Sequence, residues 1–185
     1  MRDLKISIAV GVFLAVVLIG AAARSVYYKS RVLDPLTRLA LEVPGVESVR
    51  VAEWIEGKKD VYVEFEPTAR LEESYPEVEA LARAAFGRAL GRVIPVDRRS
   101  EELADAYYDV HFLVQEGIST GRFSEMASLI AERLRGLGVE RHRVFVGDRF
   151  VYVHLYDGDR YLFEVAPRPA FPGQGAAAQG GAAAW

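Results

Sequence analysis

Residues 36–67 read LTRLALEVPGVESVRVAEWIEGKKDVYVEFEP, and the change of hydrophobic period along this stretch decides the fold. Leu36, Leu39, Ala40 and Val43 recur at helical spacing behind Asp34-Pro35. An Asp N-cap can accept from the orphan N–H groups of a first turn, and proline suits the first helical position. Pro44-Gly45 stops the helix. A strand is expected from about 46 to 55, with Glu56-Gly57-Lys58 as turn, and residues 60–66 then alternate with period two. Val61, Val63 and Phe65 face one way, and Tyr62, Glu64 and Glu66 the other. A helix followed by a half-buried hairpin points to an α+β domain.

Downstream, Ser74-x-x-Glu77 reads as a capping box before a helix carrying Val78, Leu81, Ala82, Ala85 and Ala89, closed by Gly91. Residues 93–97 are short and β-branched, and Pro95 confines them to a sheet edge or a strand end. Ser100 caps the next helix, which has Glu101 and Glu102 in its first turn and Leu103, Ala106, Tyr107, Val110, Leu113 and Val114 on its apolar face. The GISTG stretch at 117–121 is expected to break it. A further helix over 122–137 carries Phe123, Met126, Ile130, Leu134 and Leu137. Strands follow at 143–146, 150–156 and 161–166, with Gly147-Asp148 and Asp157-Gly158 as turns. The expected order is α-β-β-α-β-α-α-β-β-β with an antiparallel sheet. One compact domain spans 33–166, divided into an αββαβ module at 33–99 and an ααβββ module at 100–166. Its two Gly-Val-Glu segments, LALEVPGVESVRV (39–51) and LRGLGVERHRVFV (134–146), echo each other, either by duplication or because any helix-to-strand connection takes this form. The Gly/Ala/Gln-rich stretch at 167–185 is expected to be a disordered tail.

Upstream of the domain, residues 6–23 (ISIAVGVFLAVVLIGAAA) carry no charge. As a helix they reach about 27 Å, close to a hydrocarbon core of about 30 Å. Arg2, Lys5, Arg24, Lys29 and Arg31 flank the run, with Tyr27 and Tyr28 at an interfacial position. Residues 1–32 therefore read as a single-pass membrane anchor with its juxtamembrane segment. A cleaved signal peptide, with Ala21 and Ala23 as an A-x-A site, is the alternative, although the run exceeds the usual apolar core of about 7–15 residues. Basic residues near the two ends almost balance. The short leader favours an amino terminus inside the cell membrane and an extracytoplasmic domain.

With 185 residues, 51% of them hydrophobic and 26% charged, the chain can build one sizeable core. A net charge of −3 speaks against nucleic-acid binding through phosphate contacts, and the absence of cysteine removes disulfides and thiol chemistry. Dinucleotide, P-loop, nucleophile-elbow and HExxH motifs are missing, and Glu56-Gly57-Lys58-Lys59 lacks the P-loop glycine spacing. His142 and His154, even with Asp157 or Asp159, do not make a zinc pattern, so neither metal nor cofactor is expected. The most site-like cluster is Tyr107, Tyr108, Asp109, His111 and Glu116 on one helix, where Tyr107 aligns with His111 and Tyr108 with Phe112. Asp109 and Glu116 stand about 10 Å apart along the axis, loose for an acid–base pair. Half-buried tyrosines and solvated carboxylates are the expectation there. As interaction surface the sequence offers Tyr62 and Glu64 on the hairpin and Tyr152, His154 and Tyr156 on one face of a later strand, since aromatics supply contact area at low entropy cost.

The stretch LTRLALEVPGVESVRVAEW, the strand DVYVEFEP, a helix and then VIPVDRR resemble the ring-building modules of membrane-ring proteins. Such modules occur in flagellar basal bodies, type III secretion and sporulation channels. The resemblance covers residues 36–99, about a third of the chain, and its place after a membrane span fits those systems. It implies self-assembly. The expected function is thus a non-enzymatic, membrane-anchored contact or assembly module of the cell envelope, whose partners are other envelope proteins, a second copy included. A small-ligand or cell-wall binding domain, or a hydrolase of unrecognised type, is the alternative.

Overall fold

The structure is a computed structural model that describes residues 17–20, 23, 27, 29–53 and 57–169. The domain consists of α1 (Asp34–Leu41), β1 (Val46–Glu53), β2 (Lys59–Phe65), α2 (Leu71–Phe86), β3 (Leu90–Val96), α3 (Glu101–Thr120), α4 (Phe123–Gly136), β4 (Arg141–Val146), β5 (Phe150–Asp157) and β6 (Arg160–Pro167). This is the expected α+β order. Of the apolar run at 6–23 only 17–20 and 23 are described, so the expected span lies outside the described residues, as do 54–56 and the tail from 170. Among the described residues no helix is long and apolar enough to cross a membrane. Pro167 ends β6 instead of opening the tail, and the Arg168 N–H donates to the Arg149 carbonyl at 2.9 Å.

Two helix starts differ from expectation. Asp34 caps nothing, because a π-helical turn at Lys29–Leu33 leads directly into α1 and Leu33 at the cap position is itself helical. The capping box at Ser74 and Glu77 is likewise not formed. α2 begins a turn earlier, at Leu71, whose side chain is fully buried, and Arg70 occupies the cap position. Burying a leucine contributes about 1.5–3 kcal/mol, more than a cap of about 1 kcal/mol. Ser74 is left to donate from Oγ to the Pro44 carbonyl at 2.6 Å, tying α2 to the loop before β1. In that loop Gly45 has φ +81°, and a Cβ there would meet the Ala69 Cβ at 2.8 Å. At the other end, Gly87 rather than Gly91 caps α2.

The strands form two three-stranded sheets rather than one. In the first, ordered β1-β2-β3, β1 pairs antiparallel to β2 but β3 runs parallel to it. The expected all-antiparallel arrangement fails here because the 16-residue α2 carries the chain back before β3 begins, making a βαβ crossover. Pro95 lies on edge strand β3, opposite Val63, as its missing N–H requires. The second sheet, β4-β5-β6, is an antiparallel meander closed by the Asp157–Arg160 hairpin.

Both faces of β5 are covered. Val151, Val153 and Leu155 pack with Leu162 and Ala166 against α3 and α4, joined by Leu103, Val110, Val114, Met126, Ile130 and Leu134. On the other face Tyr152, Tyr161 and Phe163 join Val61, Val63, Phe65, Leu71, Tyr75 and Val78 of the first module. α2 is therefore held between the two sheets. Within the α3–α4 pair the expected break falls at the end of GISTG rather than its start: α3 runs on through Gly117 to Thr120 and ends at Gly121, with φ +72°, before α4 begins at Phe123. Gly117 makes room for α4, since a Cβ there would run into the Met126 side chain. The two Gly-Val-Glu segments share a backbone turn, with Gly45 and Gly138 both at φ +81°.

Candidate interaction surface

Polar contacts fasten the two modules around α2. Glu72 accepts from Arg143 at 2.9 Å, and Glu79 pairs with Arg83 on its own helix and with Arg149 of the second module. Burial acts to raise the Glu79 pKa, but the hydrogen bonds and charges of the two arginines outweigh it and hold the carboxyl below its ordinary value. The Tyr75 hydroxyl donates to the Val93 carbonyl at 2.9 Å while its ring meets Phe150 and Tyr152 edge-on, at 5.2 and 6.2 Å. After β3, Asp97 accepts from the Phe163 N–H at 2.9 Å, and Arg99 bridges Asp97 and Glu164.

These contacts bury the face expected to be a surface. Tyr152 and His154 are only 2% and 1% exposed, and Tyr156 is half-buried. The aromatic stripe is an interface, but one that the chain makes with its own α2. Among the described residues neither ring nitrogen of His154 has a hydrogen-bond partner, nor does the Glu72 Oε2. Burial pushes the His154 pKa down to about 4, with Glu72 acting against the shift and Arg143 adding to it.

Tyr62 and Glu64 do lie on an outer sheet face, opposite to the buried Val61, Val63 and Phe65. Tyr62 sits between Arg50 on β1 and Ile94 on β3, and Glu64 accepts from the Ser48 hydroxyl at 3.0 Å. Both side chains are half-buried among their neighbours.

The residues suggesting chemistry do not converge. Tyr107 packs against the second-module core, where burial raises its pKa to about 12. Asp109 accepts from Arg133 of α4 at 2.9 Å, and the His111 Nδ1 lies 2.7 Å from the Tyr108 carbonyl. Glu116 is exposed on the far turn of the helix. What the cluster does provide is an apolar surface. Tyr108 is 66% and Phe112 65% exposed. The His111 and Phe112 ring centroids are 3.9 Å apart, with Tyr108 5.3 Å from His111. On α4 the exposed Leu129 shares an open groove between the helices with Phe112, lined also by Asp109, Leu113, Glu132 and Arg133, while Tyr108 stands one turn before Phe112 at its rim. At 100° per residue, Tyr108 and Phe112 fall about 160° to either side of the fully buried Val110. That phase was readable in the sequence as a second apolar stripe, opposite to the core stripe.

No protein-family model, curated protein or solved structure matches the chain.

Proposed function

We propose that the chain is a non-enzymatic contact module of an envelope assembly, held at the membrane by a single span over residues 6–23, with the outer aromatics of α3 and the groove between α3 and α4 as its docking surface. The observation that carries this reading is the exposure of Tyr108 and Phe112 on a helix whose opposite face is packed in the core. Large aromatics cost free energy in water and are concentrated at the centres of protein interfaces. The anchor draws support from the length of the uncharged run and from Val17, Leu18 and Ile19, half or more exposed and therefore not covered by the domain. The helix, strand, strand, helix, strand order of α1 to β3 is the one shared with ring-building modules, which favours assembly as the process served.

The test uses the full chain in its native membrane with a photoreactive side chain in place of Phe112, and as a control in place of the exposed Ser128 on α4. Protein adducts from position 112 that are absent at 128 are expected. Absence of any adduct from 112 would overturn the docking surface. Alkaline washing of the same membranes should leave the chain in the pellet, and its release would overturn the anchor.

A further inference from the structure

The chemistry of the occupant can be read from the charges around the groove. α3 carries five carboxylates, Glu101, Glu102, Asp105, Asp109 and Glu116, and no lysine or arginine. Of these, Asp109 is matched by Arg133, whereas Glu101, Glu102, Asp105 and Glu116 make no ion pair among the described residues. Glu132, in the groove itself, is likewise unmatched. The apolar centre is thus bordered by net negative charge.

That border selects among occupants. Two copies of the same face brought together would oppose carboxylate to carboxylate, and an anionic lipid surface would be repelled. A cation is attracted twice, by the carboxylates and by the exposed faces of Tyr108 and Phe112. The site is also a trough between two packed helices, the geometry into which a third amphipathic helix lays its apolar side.

We propose that the α3–α4 groove binds a basic amphipathic helix of another protein, with apolar anchors over Phe112, Tyr108 and Leu129 and lysines or arginines facing Asp105, Glu116 and Glu132. This rests on the docking reading above and adds the partner's chemistry to it.

The probes are two fluorescent helical peptides of about 18 residues, long enough to hold a helix. They share one Leu/Trp face and differ in having lysine or glutamate along its borders. Full-length protein in phosphatidylcholine nanodiscs, which present no anionic lipid, is titrated with each and followed by anisotropy. The lysine-bordered peptide should bind at least about tenfold more tightly than the glutamate-bordered one, with affinity falling as salt rises. Phe112→Ala should abolish most of that binding, and the double change Asp105→Lys with Glu132→Lys should reverse the preference, all with unaltered thermal melts. Equal binding of the two peptides, or binding indifferent to Phe112→Ala, would overturn the inference. A protein adduct from position 112 accompanied by no preference for the lysine peptide would overturn the basic occupant and leave the docking surface standing. An adduct to a second copy of the chain would do the same.

Discussion

Lowering the pH from 7 to 5 should loosen the domain, and His154 should account for most of the loss. Its imidazole is 1% exposed between α2 and the second sheet, with both nitrogens unpartnered among the described residues and the Phe163 ring 4.9 Å away. Facing it are Glu72 from α2, Arg143 from β4 and Tyr156 from its own strand. Burial disfavours the charged form, so the folded-state pKa is about 4 against an ordinary 6.5. As pH falls below 6.5 the unfolded chain takes up a proton that the folded chain refuses. Stability is therefore lost progressively down to about pH 4, and no further loss comes from this group below that. The gap between 6.5 and about 4, at about 1.4 kcal/mol per pH unit, amounts to about 3 kcal/mol, of which about 2 kcal/mol falls between pH 7 and 5. For a domain of this size that corresponds to about 8 °C in melting temperature. Glu79, whose pKa is lowered, loses its contribution only as pH falls through and below the ordinary carboxylate range, a window further to the acid side.

The assay is thermal unfolding of the full chain, followed by circular dichroism at pH 7, 6 and 5, beside the His154→Leu variant. The variant should flatten the slope, and at pH 7 it should be no less stable, because two unpaired buried nitrogens are replaced by apolar atoms. An unchanged melting temperature between pH 7 and 5, or a variant that keeps the full slope, would refute the reasoning.

Two further perturbations test the packing. Ser74→Ala removes the 2.6 Å hydrogen bond to the Pro44 carbonyl and should cost about 1–2 kcal/mol in urea unfolding; no loss would mean that the loop before β1 is not tied to α2. Gly117→Ala runs a methyl group into the Met126 side chain and should cost about 1–3 kcal/mol by forcing α3 and α4 apart, so an unchanged unfolding midpoint would show that Met126 can swing clear.

The order of elements was legible because the signals that set it are local. The period-two alternation of Val61, Val63 and Phe65, the Ser100 side chain accepting from the Leu103 N–H at 3.3 Å, and the Asp157-Gly158 turn each depend on neighbours a few residues away. The stripe of Tyr108 and Phe112 was legible in the same way, as a helical phase opposite to Val110, although adjacent Tyr107 and Tyr108 look alike in sequence and only one of them touches the core.

Where two elements compete for the same residues, local pattern gave no answer. Ser74 and Glu77 satisfy the capping pattern, yet burial of Leu71 draws the start of α2 back by a turn and redirects the Ser74 hydroxyl to Pro44. Gly117 has the composition of a break, but a glycine inside a helix serves equally well as a place for Met126 to approach, and only the packing of α4 distinguishes these. The parallel course of β3 follows from the side to which α2 returns the chain.

The sequence by itself determined the α+β class, the succession of helices and strands, and one buried face for each, because hydrophobic periodicity is a property of single elements. Which of the remaining faces meets water was decided by tertiary structure alone. Tyr152, His154 and Tyr156 are amphipathic enough to suit either solvent or a core, and it is α2, more than 60 residues away in the chain, that covers them. With that stripe covered, it is Tyr108 and Phe112 of α3 that stay exposed, because no element of the described fold reaches to bury them.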